Sequence, residues 1–109
     1  MTRDQLLPPE IAASLPKLGE TAEKENPLAR VKFFYPDFGW TWYGIEFDGA
    51  DIFYGLVDGF ELEFGSFSLS ELMDNRGKLG CEIERDFYFK RTPVHELFEQ
   101  IEKRKGRPG

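Results

Sequence analysis

The sequence predicts an α+β fold, a mostly antiparallel β-meander of four to five strands with short N-terminal, middle and C-terminal helices packed on one face. Three observations predict it. Residues 40–67 alternate in the period-two pattern of half-buried strands. Asp48-Gly49 and Asp58-Gly59 interrupt that pattern at hairpin spacing. Between Lys32 and Arg76 lie nine carboxylates and thirteen of the seventeen aromatic residues, with no Lys, Arg or His. Disordered acidic tails lack aromatics, so this block reads as a folded sheet with a negative surface.

The elements follow in order. Leu7, Ile11, Leu15 and Leu18 recur at helical spacing, and Pro8-Pro9 suits a first helical turn, where a missing N–H costs nothing. A short helix is predicted over residues 9–15, closed by Pro16, with a polar loop over 19–29. Strands are predicted over 30–35, 40–47, 51–57 and 60–67. With Asp58 and Gly59 as the two central turn residues, Val57 faces Phe60, Gly55 faces Leu62 and Phe53 faces Phe64. The reverse face then pairs Leu56 with Glu61 and Tyr54 with Glu63, half-wet and acidic. The loop of the first hairpin holds two, three or four residues. On the strand over 40–47 Trp40 and Trp42 share one face, and Thr41, Tyr43, Ile45 and Phe47 the other. A helix over 70–75 is capped by Ser68 or Ser70, with Glu71 in its first turn. A loop over 76–80 leads to a fifth strand at 86–90. The last helix opens on Thr92 as N-cap and Pro93 at its first position, with Leu97, Phe98 and Ile101 as its apolar stripe.

A chain of 109 residues makes one domain. Residues 1–102 form an acidic unit of net charge −10, ten basic against twenty acidic residues, and 103–109 a basic flexible tail carrying Lys103, Arg104, Lys105 and Arg107. That field opposes direct nucleic-acid binding and anionic membranes, and favours a protein with a basic surface. The single cysteine, Cys81, excludes an intrachain disulfide and a thiolate metal cluster. No apolar run approaches the roughly 20 residues that span a bilayer. The expected setting is cytoplasmic, as a monomer or weak homodimer.

Candidate chemistry is sparse. His95 and Cys81 are each the sole residue of their kind, and a nucleophile–base pair needs both at one place with an orienting group. Glu61 and Glu63 on one strand face, about 7 Å apart, match the spacing of acid–base carboxylates, but a solvated sheet face has the same pattern. Asp48-Gly49-Ala50-Asp51 lacks the ligand count of a calcium loop. No glycine belongs to a phosphate-cradling motif. The expectation is therefore no catalytic residue, no metal and no cofactor. Glu46, Asp48, Asp51, Asp58, Glu61 and Glu63 are expected to line a partner surface, with Tyr54 as an anchoring ring between them. Carboxylates spaced on a rigid scaffold can imitate the phosphates of a duplex.

Three stretches resemble a known family: Val31-Lys32-Phe33-Phe34-Tyr35-Pro36-Asp37, Trp40-Thr41-Trp42-Tyr43, and Glu46-Phe47-Asp48-Gly49. The likeness continues through Phe53-Tyr54-Gly55-Leu56-Val57-Asp58-Gly59, Glu63-Phe64-Gly65-Ser66-Phe67-Ser68-Leu69-Ser70-Glu71-Leu72, and Glu84-Arg85-Asp86-Phe87-Tyr88-Phe89. Together they resemble the bacterial domain-of-unknown-function family 2958 (DUF2958). Its members tend to be carried by plasmids, integrative elements and phages, near anti-restriction and DNA-processing genes. The resemblance implies a small accessory protein of a mobile genetic element, and it carries over no catalytic residue. The function expected is non-enzymatic binding of a protein partner through the acidic sheet, of the kind an anti-restriction or anti-CRISPR DNA mimic makes with a host defence nuclease. The alternative is a small carboxylate-based, metal-dependent hydrolase.

Overall fold

The structure, a computed structural model, describes residues 1–106. In chain order its elements are α1 (Arg3–Leu6), α2 (Pro9–Ser14), β1 (Leu28–Ala29), β2 (Val31–Tyr35), β3 (Phe38–Phe47), β4 (Ile52–Asp58), β5 (Leu62–Ser68), α3 (Leu69–Asp74), β6 (Glu84–Arg85), β7 (Thr92–Pro93) and α4 (Val94–Arg104). Five strands form one antiparallel sheet in the order β5-β4-β3-β2-β6, and β1 pairs with β7 as a separate ribbon. The class is α+β, as predicted.

Local chemistry explains the short helices. Thr2 and Gln5 form a capping box that opens α1, which the apolar spacing did not reveal. Pro9 starts α2 at its first position. The Ser68 hydroxyl accepts from the Glu71 N–H at 3.0 Å and turns β5 directly into α3.

Residues directly opposite in an antiparallel ladder share a face. One face carries Val31, Phe33, Trp42, Phe53 and Phe67, and it packs with Leu6, Leu7 and Leu15 from the N-terminal segment and Leu69 and Leu72 of α3. The other carries Tyr43, Ile45 and Leu56 and packs on Val94, Leu97 and Ile101 of α4. Helices therefore cover both faces, not one. The physical reason is the ring content of β3, which is apolar on both sides and needs cover on both.

The β4–β5 register differs from the two-residue turn. Val57 faces Glu63, Gly55 faces Gly65, Phe53 faces Phe67, and Asp58 is still a strand residue opposite Leu62. The loop is thus Gly59-Phe60-Glu61. Gly59 does not take the positive φ that the shorter turn demands. It is small for a different reason, because a Cβ there would lie 2.9 Å from the Trp40 ring. On β3 the pairing slips between Gly44 and Glu46, a bulge at Ile45 that sends Phe47 to the face opposite Tyr43.

Two further elements differ. Residues 86–90 are not a strand. β6 ends at Arg85, and Asp86 then turns the chain, its Oδ1 accepting from the Tyr88 N–H at 2.9 Å. Thr92 does not cap α4, since Thr92 and Pro93 pair with β1. Asn26 supplies the cap from the loop instead, accepting from the His95 N–H at 2.8 Å. The boundary expected at residue 102 falls inside α4, which runs through Arg104. The Lys105 ammonium bonds the Asp58 carboxylate, so the first part of the basic tail belongs to the fold. Arg107, Pro108 and Gly109 lie outside the described residues.

Candidate functional site

The seven residues expected to form one partner surface do not share a face. Glu46 is turned inward by the β3 bulge and is 4% exposed. Its carboxylate accepts from the Gly19 N–H at 2.8 Å, the Thr21 N–H at 2.9 Å and the Thr21 hydroxyl, tying the 19–27 loop to the sheet. Burial pushes its pKa upward, but these three hydrogen bonds outweigh it and hold the carboxyl below its ordinary value. Asp58 is 3% exposed and anchors α4 through Lys105 and Arg104. Asp48 accepts from the N–H groups of Ala50, Asp51 and Ile52, which closes the β3–β4 turn and lowers its pKa. Asp51 accepts from the Ser70 N–H at 2.8 Å and from its hydroxyl at 2.9 Å, holding the start of α3. Four of the six carboxylates thus have internal work. The register places Glu63 on the face opposite Tyr54, and Glu61 sits in the loop.

What remains on the surface converges at the β4–β5 end of the sheet. On the first face, two adjoining hollows of about 300 and 230 Å³ share Trp40, Val57 and Glu63. Phe60 and Glu61 line one, Trp42 and Glu71 the other. Trp40 forms the ridge between them, its ring 5.1 Å from Phe60 and 5.9 Å from Trp42. Phe60 is 86% exposed, a large apolar area to leave in water on a three-residue loop. On the second face, Tyr54, Phe64 and Phe98 stack nearly parallel, with centroids 6.3 and 6.4 Å apart, and Tyr54 and Phe64 remain exposed. Between the faces runs the outer edge of β5, whose backbone has no partner on that side among the described residues. The Trp40 ridge and the open edge were not readable in the sequence. The one available signal was Phe60, a ring inside a turn.

A larger cleft of about 390 Å³ lies on the second face, between the 19–27 loop, Tyr54, Phe64 and the start of α4. Glu46 and His95 line it. Its one buried carboxylate, Glu46, is already saturated by loop donors. Cys81 sits beside Asp37 at the β2–β3 turn. Burial and the Asp37 charge push its thiol pKa up, opposite to what a nucleophile needs. Among the described residues no three of His, Cys, Asp and Glu come together as a metal-ligand set.

Fold and groove together define a small α+β protein with an acidic, ring-lined sheet edge. The chain belongs to the family described as Protein of unknown function (DUF2958), whose model matches residues 6–107. No curated protein and no solved structure matches the chain.

Proposed function

We propose that this protein is a non-enzymatic accessory protein of a mobile genetic element that binds a basic protein through the β4–β5 end of its sheet. One observation carries the reading. Exposed Glu61 and Glu63 stand beside the exposed rings of Phe60 and Phe64, in a stretch from residue 33 to residue 75 that contains no basic residue. Rings supply buried area on docking and carboxylates supply orientation and selectivity, the division of labour usual at protein interfaces. The mobile-element setting rests on the family resemblance, and a nucleic-acid-handling host defence enzyme is the class of partner whose basic surface fits. Imitation of a duplex can draw only on outward carboxylates, Glu61 and Glu63 foremost, because Glu46 and Asp58 are spent internally.

The test is capture from bacterial lysate by the immobilised protein and by its Glu61→Lys/Glu63→Lys variant, read by mass spectrometry. Both residues are exposed, so the variant should keep its melting temperature. The expected outcome is a basic protein retained by the parent and reduced about tenfold or more with the variant. Equal retention by both removes this surface from consideration.

A further inference from the structure

We infer that β5 accepts an extended, arginine-bearing segment of that partner as a sixth strand of the sheet, with an arginine side chain lodged against Trp40 between Glu61 and Glu63. The inference rests on the binding reading above and adds its mode. Four observations converge on it. β5 is the terminal strand of the five-stranded sheet, seven residues long and free of proline. A row of unpaired N–H and C=O groups on such an edge is a template for another strand. Its middle is Gly65-Ser66, and a Cβ added at Gly65 would meet nothing within 4 Å, so the first face beside that edge is open to a side chain of the incoming strand. The side chains of an added strand alternate between faces, and each face offers something to receive them. The first face has the hollows around Trp40, and the second has the Tyr54–Phe64–Phe98 stack.

Charge selects the occupant. Glu61, Glu63 and Glu71 line the first-face hollows, and no cation comes from the surrounding sequence. A second copy of this chain would bring the same carboxylates to the seam, with no basic residue of β4 or β5 to meet them. A basic segment meets them directly. Arginine suits the groove better than lysine, because its planar guanidinium stacks on an indole while its fork of donors reaches carboxylates. Gly59 has no Cβ to hold the Trp40 ring off the hairpin loop, so the receiving ring is already in place.

The probe is a seven-residue capped peptide of alternating arginine and valine, followed by fluorescence anisotropy and by amide spectra of the full protein. Two further versions are N-methylated at alternate residues in complementary patterns, and a fourth replaces arginine with citrulline. Strand addition uses only every second amide of the peptide. The expected result is that one methylation pattern weakens binding about tenfold or more while the other is tolerated. Citrulline should weaken binding too, and Glu63→Gln should weaken the arginine peptide but not the citrulline one. Slowed amide exchange should be confined to β5. If both methylated peptides bind like the parent while Glu61→Lys/Glu63→Lys still abolishes binding, strand addition is wrong and the acidic docking surface stands. No binding of the parent peptide overturns the inference whatever the lysate capture shows. Self-association through β5 that the peptide cannot displace overturns it in favour of a second copy.

Discussion

Glu46 shows how one side chain is redirected by its neighbours. An exposed strand glutamate would be a surface charge, but the bulge at Ile45 turns Glu46 into the protein, where three loop donors surround it. Replacing it with glutamine puts an NH₂ group among donors and removes the charge. We expect Glu46→Gln to lose about 1.5–3 kcal/mol, measured by urea unfolding at neutral pH. The pH dependence follows from the lowered pKa. The charged form is the one the fold favours, so its contribution is fully present above the ordinary glutamate value of 4.5 and fades as pH falls through the lower folded value. The gap between parent and variant should therefore close on acidification below about 4.5, and a gap that stays constant down to the acid transition would contradict this assignment. Glycines show the same dependence on neighbours. A Cβ at Gly55 would fall 1.8 Å from the Tyr43 carbonyl oxygen, so the middle of the sheet is built around a missing side chain.

At the scale of elements, α4 is positioned at both ends by residues remote in sequence. Asn26 caps its start, and Asp58 holds its end through Lys105 and Arg104. Helical periodicity announces the apolar stripe of Leu97, Phe98 and Ile101; Leu97 and Ile101 are buried, and Phe98 is half-buried and stacks on Phe64. It does not announce the face of the sheet on which the stripe lands. Asn26→Ala removes one acceptor from the first turn and should lower stability by about 1 kcal/mol, read by thermal unfolding. The same change should speed amide exchange in the first turn of α4 and leave the five-stranded sheet protected. Uniform loss of protection would mean that Asn26 supports the whole fold and not the helix start.

For the whole molecule the governing quantity is the field. Residues 1–102 carry a net charge of −10. Of the basic residues that follow, Lys105 and Arg104 are engaged by Asp58 at the end of α4. A DNA backbone thus meets repulsion from the sheet and few free cations to offset it. We expect no saturable shift of duplex or single-stranded DNA by micromolar protein in a gel-shift titration at physiological salt. Saturable micromolar binding that survives Lys103→Gln/Arg107→Gln would turn Trp40 and Phe60 from a groove for a basic side chain into a base-stacking platform.

Much of this architecture was legible in the chain before folding. Period-two alternation located four strands to within two residues. Proline and serine marked α2 and α3, and the Asp48-Gly49 turn appears with Gly49 at φ +91°. These are local signals, written in neighbouring residues. The β4–β5 register, the bulge at Ile45, the destinations of Glu46 and Asp58, and the face that α4 covers were set by contacts between distant residues. Asp58-Gly59 is the clearest case, since the same dipeptide suits a two-residue turn. The Lys105 ammonium holds Asp58 in the strand and the Trp40 ring rests on Gly59, which moves the turn outward to leave Phe60 and Glu61 at its tip. Composition foretold an acidic protein rich in rings. Which carboxylates and rings reach the surface together was decided by packing, because burying an ion or exposing a ring is settled by the partners that the fold brings to it.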